Sequence, residues 1–388
     1  MSWNAIIGQK QQIRVLQKAI ETGRLPHAYL FAGPEASGKE SVAFELARTL
    51  TCRNCKKSPA EGSCGTCPDC LQIAEFMHPN IEYLFPIEAA LLDAGETAKK
   101  ENRKSAEVRE RYDALIEEKK QNPYFSPAME RSMGILSEQI VALQQKALYM
   151  PAAGSRKIFI ISQAERMNPT AANKLLKLLE EPPGHVMFIL ISSRPESVLP
   201  TIRSRCQLIT FNRPTPAELE TWLRQAKPDI SPSETGFIIS FSRGNLALAW
   251  ELIKSKGSSE NIPAIQLRDL AIDYLRLALT PNRFHEALAK CETHAKNLSK
   301  TELSHFLGAL LLFFQDINHR ILKPGYQPLN NPDIETAIER FAKNFPNPDF
   351  LAISAATEEA IRAIDRNASP LLALSAWTSQ IRDLILAR

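Results

Sequence analysis

Residues 28–39 read Ala28-Tyr29-Leu30-Phe31-Ala32-Gly33-Pro34-Glu35-Ala36-Ser37-Gly38-Lys39. Five apolar or aromatic residues make a short buried strand, glycine and proline break it, and the apolar spacing over 41–50 predicts a helix. Strand, loop and helix with G-x-x-x-x-G-K between them match a phosphate loop, whose backbone amides cradle phosphates while the lysine offsets their charge. Gly33, Gly38 and Lys39 are therefore the candidate nucleotide-binding residues. The next position departs from the pattern. Glu40 stands where a Ser or Thr hydroxyl would ligate Mg²⁺, and a carboxylate there either captures the metal differently or repels the phosphates. Whether ATP binds at all is left open by the loop itself.

Outward from this stretch, strands are expected at 81–85, 158–161, 186–192 and 207–211, with helices at 137–148 and 169–180. Near-continuous apolar strands separated by helices imply an α/β fold, a parallel sheet covered on both faces. In Phe159-Ile160-Ile161-Ser162-Gln163-Ala164-Glu165 the strand ends where a phosphate-loop ATPase carries an acidic pair. Ser162 and Gln163 can neither ligate Mg²⁺ as carboxylates nor act as a base, so hydrolysis loses both supports. Glu165 falls two residues too late and belongs on the following turn, as an exposed or helix-start carboxylate.

Between about 88 and 134 a charged stretch interrupts the alternation, with a Lys/Glu-rich run at 99–104 and Glu117-Glu118-Lys119-Lys120. It reads as an exposed helical or flexible excursion, with a basic DNA-touching arm as the alternative. After Phe211 the chain turns helical. Thr215-Pro216-Ala217-Glu218 has the form of a capping box, Ser242-Arg243-Gly244 and the segment 256–259 mark turns, and Leu-rich periods run over 303–322 and 370–386. The expected divisions are 1–212 for the α/β domain, 213–257 for a small helical domain and 258–388 for a larger one.

The chain has 388 residues, 44% of them hydrophobic, with Lys+Arg 47 against Asp+Glu 43. A net charge of +4 is too mild to identify a nucleic-acid binder. The sequence holds neither a secretory h-region nor an apolar run long enough to span a bilayer, which points to a cytoplasmic protein without a membrane partner. Five of the seven cysteines crowd between Cys52 and Cys70. In a reducing compartment this implies metal ligation, and Cys55, Cys64, Cys67 and Cys70, spaced C-x8-C-x2-C-x2-C, suit a structural tetrahedral Zn²⁺. Cys52 is the alternative first ligand to Cys55.

Several motifs occur in one order: Ile7-Gly8-Gln9, Gly23-Arg24-Leu25-Pro26-His27-Ala28-Tyr29-Leu30-Phe31, the phosphate loop, the cysteines, Asn173-Lys174-Leu175-Leu176-Lys177-Leu178-Leu179-Glu180-Glu181-Pro182-Pro183, and Ser204-Arg205-Cys206. Together they resemble the bacterial clamp-loader subunits of DNA polymerase III, the gamma/tau and delta-prime families. The resemblance implies an AAA+ module, a helical lid and an all-α C-terminal collar. It also implies a pentamer with gamma/tau and delta subunits that loads a sliding clamp on primed DNA. Arg205 carries over as an arginine finger offered in trans to a neighbour's ATP site. Ser192 and Ser193 fall at the family's sensor threonines and read here as strand caps, and Ala247 replaces an expected lid arginine, for which Arg243 would be a shifted substitute. The lost hydroxyl, acidic pair and sensor arginine match delta-prime, which does not hydrolyse ATP, so no intrinsic ATPase activity is expected. The alternative is a gamma/tau-like motor in which Glu40 or Glu165 recruits Mg²⁺. A nucleic-acid-binding module using the charged insertion ranks last.

Overall fold

The computed structural model describes residues 2–55, 61–93, 103–151, 156–254, 264–327 and 329–386. Two compact units emerge, one of Met1–Leu219 with Gly244–Trp250 and the other of Glu220–Arg243 with Glu251–Arg388.

In the first unit the apolar runs become β1 (Ala28–Ala32), β2 (Ile81–Leu84), β3 (Lys157–Ile161), β4 (Val186–Ser192) and β5 (Gln207–Thr210). Their order is β2-β3-β4-β1-β5, every neighbouring pair parallel. Successive strand residues face opposite sides. Tyr29 and Phe31 therefore enter one core with Ile158, Ile160 and Ile189, while Ala28 and Leu30 enter another with Phe159, Phe188 and Leu190. Both faces need a cover, and helices supply it. α1 (Lys10–Glu21), α2 (Lys39–Thr51) and α3 (Pro68–Ala74) contribute to the first core; α5 (Ser137–Leu148) and α6 (Pro169–Glu180) contribute to the second. Only the edge strand β5 exposes most of its residues, with Ile209 alone buried. This is the parallel α/β architecture, covered on both faces, that the alternation of elements implies.

The charged insertion is helical and mostly exposed over its described residues, as one of the two expected forms has it, but it is not wholly solvated: α4 (Arg103–Gln121) turns Val108 and Lys119 inward, and Tyr124 and Met129 beyond it are buried. Glu117, Glu118 and Lys120 on either side of Lys119 are exposed. The run 99–102 and the turn 256–259 lie outside the described residues.

Thr215 and Glu218 form the expected capping box, Thr215 N–H donating to the Glu218 carboxylate (2.9 Å) and Glu218 N–H to Thr215 Oγ1 (3.3 Å). The segment 213–257 contributes to both units. The second unit is helical, built mainly from Ala264–Leu279, Phe284–Asn297, Lys300–Leu322, Glu335–Asn344, Phe350–Asp365 and Pro370–Leu386 around one core. Among its buried polar groups Asp316, wholly buried, accepts from the backbone and side-chain N–H groups of Asn330 and Asn331 at 2.8–3.0 Å. No helix among the described residues is long and apolar enough to cross a membrane.

Candidate functional site

The phosphate loop joins β1 to α2 with Gly38 at the helix N-cap. Gly33 is obligatory on steric grounds, since a Cβ there would stand 2.2 Å from the carbonyl oxygen of Phe211. Gln9, fully buried, ties the loop down by donating to Ser37 O (2.9 Å) and Asn212 O (2.6 Å). Beside the loop lies a cavity of about 230 Å³ lined in part by Lys39, Glu40, Ser126, Ser162, Gln163 and Glu165.

Lys39 is turned back onto its own loop, donating to Gly33 O (2.7 Å) and Pro34 O (2.5 Å). Burial pushes its ammonium down to about 8, against the opposing pull of Glu40, Glu165 and Glu35. Glu40 is the centre of the site. One carboxylate oxygen accepts from Lys119 Nζ and from Tyr83 OH (2.9 Å); the other accepts from Ser162 Oγ and from Ser126 Oγ (2.8 Å). Four donors fill the roughly four acceptor sites of a carboxylate. Lys119 is equally satisfied, its three N–H groups going to Glu40, Pro123 O (2.9 Å) and Phe125 O. Burial alone would raise the Glu40 carboxyl, but the charge of Lys119 and the bonds from Lys119, Ser162 and Ser126 outweigh it and hold it below the usual glutamate range.

The rest of the hydrolytic apparatus is absorbed in the same way. Ser162, wholly buried, is spent on Glu40, and Gln163 donates to Pro127 O (3.0 Å). Glu165 sits on the one-turn helix Ala164–Arg166 and accepts from Ser193 N–H (3.1 Å) and Ser193 Oγ (2.6 Å), while Ser192 Oγ accepts from Arg194 N–H at the strand end. At the expected sensor-arginine position, the Ala247 carbonyl accepts from Asn122 Nδ2 (3.2 Å). Arg243 donates to Gln315 (3.3 Å) within the helical unit.

The cysteines form a second site. The sulfurs of Cys52, Cys64, Cys67 and Cys70 lie within 4.8 Å of one another, with 3.9 Å between Cys52 and Cys67 and 4.0 Å between Cys64 and Cys70. Tetrahedral bonds of about 2.3 Å would set sulfurs about 3.8 Å apart, so the set fits Zn²⁺. Cys67 N–H points at Cys64 Sγ (3.3 Å) and Cys64 N–H at Cys52 Sγ (3.5 Å), the support that metal-bound sulfur takes. Amide and hydroxyl donors from Thr66 and Cys67 bring the exposed Cys64 thiol down to about 5. The sulfur that completes this set of four is that of Cys52, not Cys55. Cys52 is the C-cap of α2 and its direction is fixed by the helix; Cys55, further along, donates instead to Gly62 O (2.9 Å). Glu45 of α2 anchors the module by accepting from Ser63 N–H (2.7 Å) and Ser63 Oγ (3.0 Å).

Arg205 lies before β5, apart from the pocket lining. Its Nη2 pairs with Glu180 Oε1 at 2.7 Å and its Nη1 donates to Thr201 O (3.0 Å), with 35% of the side chain exposed.

Comparison with known proteins fixes the family. The model described as "DNA polymerase III, delta subunit" matches residues 8–215, 208 of the 388 residues. The chain belongs to this family of DNA polymerase III clamp-loader subunits. It is 28% identical over 253 residues to "DNA polymerase III subunit delta'" of Bacillus subtilis, covering 65% of this chain and 61% of that protein. It is 30% identical over 226 residues to the Pseudomonas aeruginosa protein of the same name, covering 58% and 55%. Against "DNA polymerase III subunit gamma/tau" of Mycobacterium tuberculosis it is 31% identical over 222 residues, covering 57% of this chain and 30% of the relative. The chain thus spans less than two thirds of these relatives' lengths, and its likeness divides between both subunit types.

In this clamp-loader chain the residues missed by sequence reasoning are Lys119, Ser126 and Tyr83. For Lys119 a signal existed: Val108, Tyr112, Leu115, Ile116 and Lys119 recur at helical spacing on the face that packs inward, so the lysine continues an apolar stripe.

Proposed function

We propose that this chain is a non-hydrolysing, delta-prime-like subunit of a bacterial DNA polymerase III clamp loader, working in the cytoplasm with gamma/tau- and delta-type subunits to place a sliding clamp on primed DNA. Residues 1–212 form its AAA+ domain, 213–257 its lid and 258–388 its oligomerising collar. A structural Zn²⁺ held by Cys52, Cys64, Cys67 and Cys70 ties the chain after α2 to α3. Arg205 acts in trans, its guanidinium stabilising charge that develops on a phosphate at the neighbouring subunit's ATP site.

The observation that carries this reading is the Glu40–Lys119 pair. Where a motor subunit needs a hydroxyl to hold Mg²⁺, this chain has a carboxylate whose acceptor sites are all occupied by internal donors. A lysine supplies the local positive charge in place of a metal. No carboxylate remains at Ser162 or Gln163 to hold the cation or to polarise water.

Two measurements test the proposal. The purified chain should show no steady-state ATP turnover above background, and a rate that Lys39→Ala abolishes would refute it in favour of the unconventional motor. In the assembled loader, Arg205→Ala should lower turnover at the site it serves by on the order of 10³-fold. Unchanged DNA-stimulated ATPase would remove the finger.

A further inference from the structure

Glu180 occupies a place that helix electrostatics disfavours. It is the last residue of α6, where the exposed carbonyls already carry negative partial charge, and an acidic side chain there is unfavourable unless a cation answers it. The cation that answers is Arg205, at 2.7 Å. A half-exposed pair of this kind adds little to stability, so its effect is on geometry. Arginine is a long side chain whose free rotamers spread the guanidinium over several ångströms, whereas two anchors, Glu180 on Nη2 and the Thr201 carbonyl on Nη1, fix the plane of the fork. The anchors come from different elements: α6 presents the carboxylate, and the single turn Pro200–Arg203 presents the carbonyl. With part of the side chain still exposed, the fork retains an open face.

We infer that Glu180 is the positioning residue for Arg205, holding the guanidinium in the orientation in which it meets a phosphate of the neighbouring subunit. The inference rests on the reading of Arg205 as a finger. Glu180 itself touches no phosphate; its like charge would repel one, and it acts by being shared with the arginine. The Glu-Glu-Pro-Pro motif that ends α6 thereby gains a task beyond stopping the helix.

The test uses the assembled loader with single-site resolution of ATP turnover. Glu180→Ala should lower kcat at the served site about ten-fold, inside the 10²-fold that a displacement of about 1 Å costs, with KM for ATP unchanged. Glu180→Gln, which keeps an acceptor, should recover most of that loss. Adding Glu180→Ala to Arg205→Ala should lower kcat no further than Arg205→Ala alone. If Glu180→Ala leaves kcat unchanged while Arg205→Ala lowers it, the positioning role is overturned and the finger stands. If Glu180→Ala raises kcat, the carboxylate parks the arginine instead, which also overturns the inference. If Arg205→Ala itself changes nothing, the finger reading fails first. The subunit's melting temperature and co-migration with its partners should be the same in every variant, and a loss in either under both Ala and Gln would show a structural role instead.

Discussion

The floor of the phosphate loop and the corner around Arg205 belong to the same unit and hold the same kinds of charge, yet they dispose of them in opposite ways. At the floor, Glu40 and Lys119 are 7% and 3% exposed, and each has as many partners as it can use. At the corner, Glu180 and Arg205 keep 50% and 35% of their side chains in water. The contrast is one of remaining capacity. A charge whose hydrogen-bonding sites are all taken inside the fold has nothing left for a ligand, whereas a charge held by part of its fork can be both placed and available.

The largest effect should come from unbalancing the floor. Lys119→Met leaves Glu40 buried without its cation and should destabilise the first unit by about 3–5 kcal/mol in urea unfolding. Adding Glu40→Gln should restore most of it, because neutral isosteres of a buried pair are close to neutral in cost. A loss below about 1 kcal/mol for Lys119→Met would show the pair to be open to water and would erase the contrast with the corner.

Next in size is the acid response. The folded Glu40 carboxyl lies below its ordinary 4.5, so the folded state holds fewer protons than the unfolded state there. Its contribution is complete above about pH 4.5 and drains away as pH falls through the folded value. The wild type should therefore lose stability faster than the Glu40→Gln/Lys119→Met double variant when titrated down from pH 5. Parallel curves would mean that Glu40 is not held ionised by Lys119.

The cysteine module asks whether a third region belongs with the closed floor. Cys52→Ser should abolish bound zinc in a metal assay of the purified chain, while Cys55→Ser should leave one equivalent in place. The reverse result would return the first ligand to Cys55. The smallest effect is at the corner, where Arg205→Ala should move stability by less than about 0.5 kcal/mol, leaving its consequence for turnover as the only large one.

How much of this was readable from the residues depends on whether a group's role is local. The strands were legible because β1, β3 and β4 are near-continuous apolar runs, broken only by Lys157 at the start of β3 and Ser192 at the end of β4, and buried parallel strands need no alternation to be recognised. The loss of the metal hydroxyl and the acidic pair was legible because Glu40, Ser162 and Gln163 sit at fixed offsets from glycines and a strand end. What replaces them was not. Lys119 is 79 residues from Glu40 and sits in a charged run, and only the fold brings the two together. Cys52 and Cys55 were indistinguishable by spacing; the end of α2 decides between them by fixing where the Cys52 sulfur points. Arg205 was found by motif, but its partner Glu180 was visible only as part of a helix stop.

The underside of α6 has a mechanical meaning. Asn168 caps its start by accepting from Ala171 N–H (2.7 Å), and Ala171, Ala172, Leu175 and Leu179 are embedded in the core shared with Phe188 and Leu190. Twelve residues make a spar of about 18 Å. Tilting it by about 3° would swing its far tip by roughly 1 Å, but only by driving the leucines into a core packed as tightly as an organic crystal. The tip therefore inherits the stiffness of the sheet beneath it, and a water-facing side chain can keep a fixed bearing without being buried.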